Sequence, residues 1–143
     1  MARFKTHCLR KGTLLYHGTR AREPFEEGGF APNAPAWFST SETVAREFVD
    51  WHEGPKARIL VYRLTSNVPC LVTIEDKDDF QRLEDRIEEE TGLGIGMGAS
   101  DMAEAICERT HYNGWYIPYN YPSGDDILLC NTDALEFVES RSI

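Results

Sequence analysis

Short β-type runs crowd both ends of this 143-residue chain, and helical patterns occupy the middle. That order disfavours alternating βαβ units and predicts an α+β domain. At the first end, Met1 to Gly12 is basic and weakly patterned, which suits a short edge strand. Thr13 to His17 (Thr-Leu-Leu-Tyr-His) is an apolar run that reads as a buried strand. Arg20 to Pro35 is a loop rich in Gly, Pro and Glu, longer than most connections. Ala36-Trp37-Phe38 gives a second short strand that breaks into Ser39-Thr40-Ser41. Arg58 to Leu64 is the best strand in the chain, with Cys70 to Ile74 its partner or continuation. At the other end, Trp115 to Ile117, Asp126 to Cys130 and Leu135 to Val138 read as strands, with a turn-rich loop over Pro118 to Gly124.

Three helices are read among these strands, one inside the first group and two between the groups. The spacing predicts the first over Glu42 to His52, with Val44, Ala45, Phe48, Val49 and Trp51 on one face and Ser39-x-x-Glu42 as a capping box. The second covers Asp76 to Glu90, burying Phe80, Leu83 and Ile87. The third covers Ser100 to Arg109 and carries Met102, Ala103, Ile106 and Cys107. The run Gly92-x-Gly-x-Gly-x-Gly98 lacks a preceding strand and a Lys-Ser/Thr ending, so it reads as a connector and not a phosphate loop.

Hydrophobic residues make up 41% of the chain and charged residues 27%, as in a soluble single domain over 1–143. No apolar run approaches the roughly 20 residues that span a bilayer, and the start lacks the apolar core of a signal peptide. Cys8, Cys70, Cys107 and Cys130 are widely spaced; they read as reduced packing thiols of a cytoplasmic protein, and their spacing supports no zinc site. A net charge of −9 counts against phosphate-backbone binding as the main task. Arg3, Lys5, Arg10, Lys11, Arg20 and Arg22 nevertheless form a local basic stretch, while much of the acidity lies in Glu75 to Glu90.

The chemistry-bearing residues stand in a telling order. His17-Gly18-Thr19 closes the first buried strand, placing a histidine at the rim of a core before a glycine that tolerates close backbone approach. Trp37-Phe38-Ser39-Thr40-Ser41 leads into a helix carrying Ala45 and Phe48. Asp125-Asp126 opens a late strand, after Gly114-Trp115-Tyr116. Each feature has an ordinary structural use: core aromatics, a helix cap, a turn before a strand.

Together they resemble the ADP-ribosyltransferase fold, the family of the poly(ADP-ribose) polymerases and diphtheria-type toxins. Its signature is a histidine on the first core strand, an aromatic on the second and an acid on a late strand. The resemblance implies a split β-sandwich of two small antiparallel sheets with flanking helices, and NAD as substrate. It implies that His17 contacts a ribose hydroxyl and that the backbone of Gly18, beside Thr19, holds the carboxamide. Trp37 takes the place of the stacking tyrosine, with Phe38 and Ser39 beside it and Phe48 on the opposite ring face. Asp126 takes the place of the family's glutamate, with Asp125 competing for the role. Ser39-Thr40-Ser41 resembles the arginine-type branch of the family, whose first-strand residue is not histidine.

The implied reaction breaks the nicotinamide–ribose bond through an oxocarbenium-like ribose, which a fixed carboxylate stabilises. No metal is needed. The expected activity is mono-ADP-ribosyl transfer to a protein, a nucleic acid or water, the last being NAD hydrolysis. Two rivals stand beside it. One is an RNA 2′-phosphotransferase of the same fold, which needs basic residues to seat phosphates. The other is a non-catalytic domain that binds NAD, ADP-ribose or a protein.

Overall fold

Side chains alternate along the strands and so divide the chain between two main cores. In the computed structural model, residues 4–20, 35–50, 57–96, 98–121 and 124–143 are described. Most of the Arg20 to Pro35 loop, Trp51 and the expected helix end at His52 lie outside them. The elements run β1 (Thr6–Leu9), β2 (Leu14–Thr19), β3 (Ala36–Phe38), α1 (Glu42–Asp50), β4 (Arg58–Leu64), β5 (Val68–Thr73), α2 (Lys77–Thr91), α3 (Ala99–Arg109), β6 (Gly114–Tyr121), β7 (Gly124–Leu129) and β8 (Leu135–Ser142). The fold is α+β. One sheet has the order β1-β5-β6-β7-β3, the other β2-β4-β8.

Three details depart from the sequence reading. First, β5 is neither the partner nor the continuation of β4. Both edges of β4 are taken, by β2 and β8, so the chain leaves at Thr65 and β5 joins the larger sheet. Second, β5 and β6 are parallel, because α2 and α3 carry the chain back across the sheet between them. Third, β6 continues through the expected loop to Tyr121, and its register slips between Ile117 and Tyr121. Pro118 sits within that irregularity, where a missing N–H breaks no regular ladder.

One core fills the space between the sheets, from Leu15, Phe38, Leu60, Tyr62, Leu71, Ile127 and Leu129. A second lies on the other face of the larger sheet, where Leu83 and Ile87 of α2 and Met102 and Ile106 of α3 meet Val72, Trp115 and Leu128. Of the expected apolar stripe of α2, Leu83 and Ile87 are buried and Phe80 is half-buried against this core. Asp76 caps that helix by accepting from the Asp79 amide, and Gly92 ends it at φ +69°. The glycine run is a C-cap followed by a connector. Among the described residues no helix is long and apolar enough to cross a membrane.

The cysteines are not four thiols. The last turn of α3 lies over the end of β7, and Cys107 and Cys130 form a disulfide with Cα atoms 5.4 Å apart. Their 23-residue separation carries no signal of this, since only the packing of α3 on the sheet brings them together. Cys8 and Cys70 are thiols.

Helix α1 covers the outer face of the smaller sheet, with Ala45 against Ile59, Val61 and Tyr16. Gly18 is what allows it so close. A Cβ built on Gly18 would stand 2.0 Å from the Ala45 carbonyl oxygen and 2.7 Å from a Val49 methyl. The carbonyl belongs to helix backbone and cannot swing aside. Gly18→Ala should therefore destabilise the fold by at least the roughly 1–3 kcal/mol typical of overpacking. A denaturant midpoint unchanged from wild type would show that α1 does not hold this position.

Candidate functional site

Among the described residues one backbone bridge joins the two sheets. Tyr16 and Ser39 donate to each other's carbonyls, at 2.8 and 3.0 Å. The next rung in an antiparallel ladder would pair Gly18 with Trp37. Here the Trp37 carbonyl instead accepts from the His17 ring, Nδ1 to O 2.6 Å. A carbonyl only accepts, so the neutral ring carries its proton on Nδ1 and its lone pair on Nε2. The histidine thus stands where the sheets begin to part, with its ring 5.6 Å from that of Phe38.

A pocket opens on the other side of this seam. Its walls are Tyr16, Gly18, Trp37, Phe38, Ser39, Val44, Ala45, Phe48 and Asp126. Six of the eight residues singled out from sequence converge there. His17 and Thr19 do not line it, because alternation along β2 gives the α1 side to Tyr16 and Gly18 and the opposite side to their neighbours. Thr19 ends β2 opposite Arg58. Gly18 earns its place first by admitting α1. The cavity measures about 30 Å³, room for about two waters.

The adjacent acids do different work. Asp125 is buried and accepts three hydrogen bonds: from Ser39 Oγ at 2.7 Å, the Thr40 amide at 2.8 Å and Thr40 Oγ1 at 2.7 Å. It pins the start of α1 to β7. Ser39 is therefore not the helix cap that its spacing to Glu42 suggests. Its hydroxyl is held by Asp125 and also accepts from the Ser41 amide; Ser41 caps the helix, accepting from the Val44 amide at 3.4 Å. Asp126 points to the helix-covered face instead. It lines the pocket with Trp37 and accepts from the Trp115 indole N–H at 3.5 Å.

Asp125 also acts on its inner-face neighbours. The His7 and Tyr116 rings stack 3.8 Å apart with planes 10° from parallel. Burial lowers the His7 pKa, and the Asp125 charge opposes that shift. Burial raises the Tyr116 pKa, and Asp125 adds to it.

Sequence reading missed Tyr16, Val44, Ala45 and Trp115. Tyr16 and the two α1 residues look like ordinary core positions, and no local pattern marks them as pocket walls. Trp115 is legible only after register is known: on β6 it pairs with Leu128, two residues along β7 from Asp126 and so on the same face.

The hydrogen bonding sets a stability contrast. Asp125→Ala removes the acceptor of three donors and should cost about 2–4 kcal/mol. Asp126→Asn keeps shape and an acceptor for the indole, and should cost less than about 1 kcal/mol. Urea unfolding of both variants measures the difference; equal losses would mean that Asp125 is not the anchor of this corner.

No protein-family model matches the sequence, and no curated protein matches it. Among solved structures the chain is similar to one in the crystal structure of the M. tuberculosis MbcT–MbcA toxin–antitoxin complex. The TM-score is 0.53 and the sequence identity 12%, over 95% of this chain and 86% of that one. At that identity the likeness shows a shared α+β fold.

Proposed function

We propose that this domain binds NAD and cleaves its nicotinamide–ribose bond, passing ADP-ribose to an acceptor group or to water. The observation that carries the reading is the convergence of Trp37, Phe48 and Asp126 on one pocket beside the Gly18 backbone. These residues come from β3, α1, β7 and β2, and no packing rule requires two aromatics and a carboxylate to meet there.

In this reading Trp37 and Phe48 part to admit the nicotinamide and close on its two faces. Phe38 and Ser39 form the back of the pocket, and the Gly18 backbone meets the carboxamide. As the bond to nicotinamide lengthens, positive charge grows on the ribose. Asp126, buried and held by the Trp115 indole, is a preorganised counter-charge for it. His17 holds the Trp37 peptide through Nδ1 and so fixes the wall that Trp37 supplies, while the His17 and Thr19 side chains stay off the pocket.

The pocket walls bear on one rival. A 2′-phosphotransferase has to seat phosphates, yet among the described residues no lysine or arginine lines this pocket. The likeness to a chain of a toxin–antitoxin complex supports an activity that a partner protein holds in check.

Release of nicotinamide from NAD tests the proposal. Asp126→Asn should slow release by about 10²–10³-fold, the scale for one strong electrostatic stabiliser, with little change in NAD affinity. Trp37→Ala should weaken NAD binding itself. Calorimetry showing no heat with NAD up to millimolar concentrations would end the NAD reading; release unaffected by Asp126→Asn would remove the carboxylate from the mechanism.

A further inference from the structure

The two cysteines outside the disulfide lie on paired strands, Cys8 on β1 and Cys70 on β5. Strand β1 pairs antiparallel with β5 through Thr6↔Val72, His7↔Leu71 and Leu9↔Val68. Between the last two pairs, β1 has one residue, Cys8, and β5 has two, Pro69 and Cys70. This is a β-bulge in which a single residue opposes two. Continuing the register of the first two pairs sets Cys8 directly against Cys70. Directly opposed residues of antiparallel strands have Cα atoms about 4.5–5.5 Å apart, inside the roughly 4.4–6.8 Å that a disulfide spans. Both thiols are exposed.

The backbone at this point is unusual and firmly held. Cys70 has φ +60°, a left-handed conformation rare for a residue with a Cβ. Asn113, just before β6, clamps it: its backbone amide donates to the Cys70 carbonyl at 3.0 Å and its Nδ2 to the Pro69 carbonyl at 2.8 Å. Strained backbone persists where its surroundings over-determine it. Here the clamp fixes the backbone of the bulge that Cys8 faces. β1 is also an edge strand, paired with β5 alone, so a covalent tie at Cys8 would fasten the open margin of the larger sheet.

We propose that Cys8 and Cys70 form a cross-strand dithiol that closes to a second disulfide by exchange with a small-molecule disulfide. One thiolate attacks the small disulfide, forming a mixed disulfide and expelling one thiolate. The second protein thiolate then attacks the mixed bond and expels the other. The protein loses two protons and two electrons, and the oxidant is reduced to two thiols. The geometry of the strand pair makes the second step intramolecular, so the mixed disulfide does not accumulate.

The test uses the full chain with oxidised glutathione, followed by alkylation, mass measurement and peptide mapping without reduction. The expected product is about 2 Da lighter than the starting protein, has no glutathione attached, and yields a peptide pair joining Cys8 to Cys70. Its thermal midpoint should lie above that of the dithiol form. Cys8→Ser and Cys70→Ser should each instead stop at one stable glutathione adduct, and Asn113→Ala should slow closure relative to adduct formation. Wild-type protein carrying two glutathiones, or a mapped bond from Cys8 or Cys70 to Cys107 or Cys130, would overturn the proposal. These outcomes are read without NAD and stand apart from the fate of the pocket reading.

Discussion

The structure depends on how two sheets touch without merging. A full β2–β3 ladder would fuse them into one continuous sheet and close the gap at their junction. The Tyr16–Ser39 bridge joins them at one point, and the His17 ring then takes the acceptor that the next rung would use. A buried carbonyl has to be satisfied. The imidazole does this while standing off the backbone, so the strands diverge without leaving the Trp37 peptide unpaired. The split between the sheets, and the pocket beside it, follow from that substitution of a side chain for a backbone partner.

The corner next to the seam is built from one carboxylate. Asp125 gathers both hydroxyls and one amide of Ser39-Thr40, so the end of β3 and the start of α1 are fixed relative to β7. Helix α1 then brings Val44, Ala45 and Phe48 to the pocket, and Gly18 lets it approach within backbone contact of β2. With this frame set by Asp125, the neighbouring Asp126 is left for the opposite face. Two identical side chains one residue apart are thus separated by the pleat alone, one spent on architecture and one lining a cavity.

The larger sheet has its own covalent framework. The Cys107–Cys130 disulfide ties α3 to the end of β7, the strand that carries Asp126. Asn113 links that end to the β5 bulge, since the Cys130 amide donates to its carbonyl and its own amide donates to Cys70. All four cysteines therefore serve one end of one sheet, although they are spread from residue 8 to residue 130.

The sequence by itself determined the kind of elements and most of their limits, because periodicity and capping are local. β4 runs from Arg58 to Leu64 as its apolar run dictates, and α2 follows its apolar stripe between an aspartate cap and a glycine stop. It also marked Gly18, Trp37, Phe48 and Asp126 as candidates, through the family resemblance that their order along the chain carries. What only the tertiary structure decided was pairing and facing. The residues of β5 look the same whether they pair with β4 or with β1 and β6; the choice falls to which edges the other strands occupy. A shift of one residue reverses every side chain in a strand, so composition could not separate Asp125 from Asp126 or put His17 behind the Trp37 peptide. The disulfide lay beyond sequence for the same reason: its partners are brought together by the packing of a helix on a sheet, which no short window of residues records.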